Sequence, residues 1–101
     1  MTIDTITKNI GTIKIATPTT FSYIFTAGAF PVVFTQIKAG CGSCTLANLL
    51  KSSIEPLEAI ELKVTFTPNG IGEQTKQVTV TYTENGNTLK YIVSFTATVI
   101  V

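Results

Sequence analysis

The stretch "QVTVTYTENGNTLKYIVSF", residues 77–95, decides the fold. Asn85-Gly86 is a dipeptide that accepts the positive φ angles of a type I′ turn, the turn whose twist matches two antiparallel strands. With Glu84 and Asn87 flanking the turn as a pair, Tyr82 faces Leu89, Val80 faces Tyr91 and Val78 faces Val93. The other face then pairs Thr81 with Lys90 and Thr83 with Thr88. A slip of one residue would set apolar side chains against polar ones, so the register is specified.

The rest of the chain follows the same period. In "AIELKVTFT", residues 59–67, Ile60, Leu62, Val64 and Phe66 alternate with Glu61, Lys63, Thr65 and Thr67, as in a strand with one face buried. "NIGTIKI", 9–15, offers Ile13 and Ile15 inward, and "TFSYIFT", 20–26, offers Phe21, Tyr23 and Phe25. "PVVFTQIK", 31–38, is apolar on both faces at its start and is expected to settle to Val33, Thr35 and Ile37 inward. "SFTATVIV" is expected to continue the core face through Phe95, Ala97, Val99 and Val101, with Ile92 and Ile100 pointing outward. "TLANLLKSS", 45–53, reads as a short helical turn, with Leu46, Leu49 and Leu50 on one face, or as an irregular crossing segment. Turns fall at "TAGAFP" and "TPNGIGE".

The tally is six or seven short strands about ten residues apart. That spacing suggests an all-β sandwich, with a small closed barrel as the rival. The chain has 101 residues, enough for one domain: an N-terminal arm at residues 1–8 and a single sandwich at 9–101.

Composition removes several functions. Apolar residues make up 45% and charged residues 13%, which excludes a disordered chain. The seven basic residues are all Lys and are spread along the sequence, without the concentrated positive footprint that nucleic acid requires. No apolar run approaches the roughly 18 residues of a membrane-spanning helix. The start "MTIDTITKNIG" lacks a basic segment followed by an apolar one, so no export signal is read there and release into a cytoplasm is expected. Without histidine, the usual general base near neutral pH is missing, along with Ser-His and Cys-His pairs. Glu55, Glu58 and Glu61 form the one carboxylate cluster and read as a solvated edge. No enzyme and no cofactor are expected.

The two cysteines, Cys41 and Cys44, lie in "AGCGSCTLANLL". A redox Cys-x-x-C thiolate sits at a helix N-terminus, usually in a βαβ context, which is not in evidence. A zinc site would need two further ligands. A local disulfide would close a loop too short to remove much chain entropy. The fourth reading makes both cysteines small apolar fillers at a β-corner, with Gly40 and Gly42 supplying backbone freedom.

The order of features resembles a bacterial family of immunoglobulin-like domains related to the ASH, major-sperm-protein and PapD-like group. The resemblance starts at Ile10-Gly11-Thr12-Ile13 and passes through Phe21, Phe25 and Cys41-Gly42-Ser43-Cys44. It continues at Pro56-Leu57-Glu58, where the family has Pro-Gly-Glu, and at Phe66-Thr67-Pro68. Two residues separate the cysteines here, where the family more often has one. The resemblance implies an immunoglobulin-like sandwich of about seven antiparallel strands and an interaction or scaffold role.

Two non-enzymatic roles follow as expectations. The first is a decoration or auxiliary capsid protein of a phage virion, present in many copies on a capsid or other virion protein and assembled in the host cytoplasm. The Ile- and Lys-rich, Arg-free composition suits an AT-rich genome, such as that of a crAss-like gut phage. The second is a bacterial adaptor or surface-binding module, placed in the periplasm or at the cell surface and bound to a surface protein. A metal-linked dimer through Cys41 and Cys44 is a weaker third. Partner contacts are expected at loop tips, Asn69, Gly70 and Ile71 in one loop and Glu84, Asn85, Gly86 and Asn87 in the other, because loops on a rigid scaffold commonly carry binding.

Overall fold

The computed structural model describes residues 1–40 and 45–101. Among the described residues there are nine strands and no helix: β1 (Thr2–Ile3), β2 (Thr7–Lys14), β3 (Thr19–Thr26), β4 (Val32–Ala39), β5 (Thr45–Leu49), β6 (Ser53–Ile54), β7 (Ala59–Phe66), β8 (Gly72–Glu84) and β9 (Asn87–Ile100). They form two sheets, ordered β1-β3-β7-β5 and β2-β9-β8-β4-β6. The fold is an immunoglobulin-like β-sandwich, the class expected.

Two details of that expectation change. The strands number nine rather than about seven, because β1 and β6 are only two residues long and carry no periodic signal. The sheets are also not wholly antiparallel, since β2 runs parallel to β9. Alternation reports which face is buried and says nothing of strand direction.

The β8–β9 hairpin keeps the register read from the sequence, with Tyr82 opposite Leu89, Val80 opposite Tyr91 and Val78 opposite Val93. Asn85 (φ 50°) and Gly86 (φ 78°) take the left-handed backbone that the turn requires. The ladder runs well past residue 77, as far as Gly72 opposite Val99. In the facing sheet, β3 and β7 place Phe21 opposite Val64, Tyr23 opposite Leu62 and Phe25 opposite Ile60. Phe95 sits between the sheets, its ring 4.8 Å from Phe21 and 5.1 Å from Phe66, both edge-on. The Tyr23 hydroxyl donates to the Ser94 carbonyl at 2.5 Å, joining one sheet to the other.

Four local readings are corrected. In β4, Val32 and Phe34 are buried while Val33 and Thr35 face solvent. The register then shifts between Phe34 and Gln36, so Ile37 returns to the inner side. A bulge inserts one unpaired residue and changes parity, which a fixed period of two cannot represent. Residues 45–49 form a strand and not a helical turn, because pairing with β7 satisfies their backbone where a nine-residue helix would be marginal. Val101 is exposed, since β9 ends at Ile100 and its ladder with β8 stops at Val99.

Residues 1–8, expected as an arm, lie on the sandwich. β1 pairs with β3, and the chain crosses to the other sheet before β2. Asp4 holds this crossing: its carboxylate accepts from the amides of Thr5 and Ile24, each at 2.9 Å. The Ser94 amide donates to the Ile6 carbonyl beyond it.

Phe95→Ala should destabilise the domain by about 3–5 kcal/mol, the usual result of emptying a packed aromatic site. Ile92→Ala, on the outer face of the same strand, should change stability by less than about 0.5 kcal/mol. Urea denaturation of both variants against the parent measures the contrast.

Candidate functional site

The two loops expected to carry contacts lie at opposite ends of the molecule. Twelve residue steps along β8 separate Gly72 from Glu84, which at about 3.3 Å each is roughly 40 Å. The longest dimension of the domain is 46 Å. One compact epitope therefore cannot contain both loops.

At the first pole, Asn69 and Ile71 are exposed, Ile71 at 59%, while Pro68 is buried. The Pro68 carbonyl accepts from the Ala16 amide, which ties this loop to the end of β2. Gly72 has φ 106°, a conformation that leaves glycine as the fitting residue where the turn enters β8.

At the second pole, Asn85, Gly86 and Asn87 form the exposed tip of the β8–β9 hairpin. Glu84 is half-buried and accepts from the N-terminal ammonium of Met1 at 3.0 Å. Tyr91 donates its hydroxyl to the Met1 carbonyl at 3.1 Å, so the hairpin base and the start of the chain are fastened together. Beside the tip runs a groove of about 560 Å³ lined by Phe30, Pro31, Val33, Thr83, Glu84, Asn85 and Gly86. Phe30 and Val33 are 46% and 45% exposed, large apolar side chains left in water on its wall. The residues expected to make contacts include the hairpin tip but not Phe30 or Val33, which the structure places beside it. The available signal was the pair Val32-Val33, apolar on both faces at the start of β4.

Two of the three carboxylates in the middle of the chain lie beside lysines. Glu58 is bonded by the Lys51 ammonium and accepts from the Glu55 amide at 2.8 Å. The hydrogen bond from Lys51, with that amide second, holds the Glu58 carboxyl below its ordinary range. Glu61 lies 3.9 Å from Lys63. Among the described residues, no three His, Cys, Asp or Glu side chains converge as a metal site. Cys41 and Cys44, the candidate disulfide, lie outside the described residues.

Two tyrosines have raised pKa values. Burial, and secondarily the charge of Asp4, pushes Tyr23 up to about 12. Burial also raises Tyr82, with smaller contributions from Tyr91, whose ring stacks on it at 6.0 Å, and from Glu84. These groups stay neutral and packed across the physiological range.

Two sheets packed in this way define an immunoglobulin-like domain, a fold also seen in major-sperm-protein and PapD-like domains. The chain belongs to the family described as "Protein of unknown function (DUF1573)", whose model matches residues 1–99. Its structure is similar to SSP-19, a protein of Caenorhabditis elegans resembling the major-sperm-protein family, at 14% identity and a TM-score of 0.74, covering 97% of this chain and 99% of that one. It is similar to the ASH/PapD-like domain 7 of human CEP192, at 11% identity and a TM-score of 0.74, covering 98% and 84%. It is also similar to part of the Vibrio cholerae VesB protease, at 12% identity and a TM-score of 0.74, where 96% of this chain spans 31% of the protease. At these identities the likeness is one of fold. No curated protein matches the chain.

Tyr23 makes stability depend on alkaline pH. The unfolded side chain ionises near 10.0 and the folded one near 12. Its contribution is therefore complete below pH 10 and falls as the pH rises towards 12, where the unfolded chain alone releases the proton. Denaturation midpoints measured across this window should decline in the parent and decline less in Tyr23→Phe. The same substitution should cost about 1 kcal/mol at neutral pH through the lost hydrogen bond to Ser94.

Proposed function

We propose that this domain is a non-enzymatic assembly module that binds protein through the hairpin pole, and that it serves as an auxiliary decoration protein on a phage virion. The observation that carries the reading is the exposure of Phe30 and Val33 beside the Asn85-Gly86 tip. Exposed aromatic and branched side chains beside a structured loop are what a partner's surface can desolvate, and such anchors supply most of the energy of an interface. The elongated shape supports the decoration role: a domain 46 Å long that attaches by one end projects the other away from its support. The partner is a capsid or other virion protein, contacted in many copies, so that each contact can be weak.

The likeness to the ASH/PapD-like domain of human CEP192 supports the second reading, a bacterial adaptor or cell-surface module that uses the same pole. Under that reading the partner is a surface or periplasmic protein.

Mass spectrometry of purified particles separates the two readings: the chain should be present in stoichiometric amount, and its absence removes the virion role. Cosedimentation with particles lacking the protein then tests the pole. Phe30→Ser combined with Val33→Thr should weaken association at least tenfold. Ile71→Ser, at the far pole, should leave it unchanged. Equal binding by the parent and both variants would rule out the hairpin pole as the attachment site.

A further inference from the structure

Beside the hairpin pole, the outer face of the five-stranded sheet carries charge of one sign. Register pairs across β4, β8 and β9 set its side chains in three rows. The row nearest the tip is Val33, Thr83 and Thr88. The next is Gln36, Thr81 and Lys90, and the third is Lys38, Thr79 and Ile92. Residues directly opposite one another share a face of the sheet, and exposed Val33 marks this one as the outer face. No position in these rows is a carboxylate. Lys38 and Lys90 are exposed, and neither forms an ion pair, whereas Lys8, Lys51 and Lys63 do. Glu84, next to Thr83 along β8, alternates to the other face and bonds the Met1 ammonium. Glu73, on the outer face of β8, stands six positions before Thr79, about 20 Å away. The outer face of the other sheet differs, because there Glu61 and Lys63 stand 3.9 Å apart.

We propose that these rows and the groove of Phe30 and Val33 form one docking face, whose occupant is an acidic protein surface. The inference rests on the hairpin pole being the attachment site and names the chemistry of the partner there. Val33 belongs to both parts, since it lines the groove and opens the first row. Ile92, 54% exposed, carries the apolar contact to the third row. Between them stand the hydroxyls of Thr79, Thr81, Thr83 and Thr88, each able to donate or accept as a partner requires. The lysines decide the sign. A neutral surface closing over Val33 and Ile92 would strip water from two ammonium groups and offer nothing in return, which costs free energy. A basic surface would add repulsion. Carboxylates set against Lys38 and Lys90 satisfy both groups, while the apolar lysine stems stay part of the contact. The two lysines are two strands and one row apart, about 12 Å at ordinary sheet spacings. One carboxylate cannot serve both, so the partner presents at least two.

Cosedimentation with particles lacking the protein, before and after nuclease treatment, tests the proposal. Lys38→Glu combined with Lys90→Glu should weaken association at least about tenfold, and the matching glutamine pair by a smaller factor. Lys14→Glu combined with Lys76→Glu changes the net charge equally but away from these rows. That control should bind like the parent. Association of the parent should fall as sodium chloride is raised, and the Lys38→Gln, Lys90→Gln variant should respond less to salt. Circular dichroism checks that each variant folds. Should the charge reversal not fold, the glutamine pair carries the test through its weaker binding and flatter salt response. The two levels of the reading fail differently. A parent that does not bind, or full binding by Phe30→Ser with Val33→Thr, removes the hairpin-pole reading and this inference with it. Weakening by that variant, with no effect of charge reversal at 38 and 90, keeps the pole and overturns the acidic partner. Equal loss in the Lys14 and Lys76 control would assign the effect to net charge and overturn it too. Association that vanishes after nuclease treatment would identify nucleic acid as the ligand and likewise overturn it.

Discussion

The β8–β9 ladder is the constraint on which the rest of this molecule depends. Its register pairs run unbroken from Gly72 opposite Val99 to Glu84 opposite Asn87. One two-residue turn therefore sets the partner of every residue of β8 and of every residue of β9 except Ile100. The inward positions Val78, Val80, Val93 and Phe95 are fully buried. Against them close Tyr23, Leu62 and Phe66 of the other sheet, also buried. The length of this ladder also makes the domain long, and it carries the two loop systems to opposite poles.

The sandwich closes around that ladder with few polar demands. The Tyr23 hydroxyl reaches Ser94 across the interior, and the Lys8 ammonium lies 5.4 Å from the centre of the Tyr23 ring. No buried side-chain nitrogen or oxygen among the described residues lacks a hydrogen-bond partner. A polar group in a dry interior costs free energy unless it is satisfied, and this interior asks for little such compensation. Two places are held in less comfortable backbone. Ala16 (φ 62°) and Leu57 (φ 67°) take the left-handed region without being glycine. Each is fixed by a hydrogen bond between segments, Ala16 to the Pro68 carbonyl and Leu57 to the Gly28 carbonyl. A branched side chain at Leu57 is strained in this backbone in a way that glycine would not be.

What could be read in the sequence was whatever has a strict period or a specific turn chemistry. β7 and the β8–β9 hairpin were legible to the residue, because alternation and Asn85-Gly86 agree with each other. The bulge in β4 was illegible because it breaks the period at one residue. It leaves Val33, half of the apolar wall at the hairpin pole, assigned to the wrong face. β5 was illegible for another reason. Its leucines satisfy helical spacing as well as they satisfy a strand, and only the backbone of β7, distant in sequence, decides between the two. The parallel pairing of β2 with β9 joins residues more than eighty positions apart, such as Thr7 and Ser94. No local pattern encodes so distant a contact. The candidate site was half legible for the same reasons: the tip came from turn chemistry, and its apolar wall required the fold.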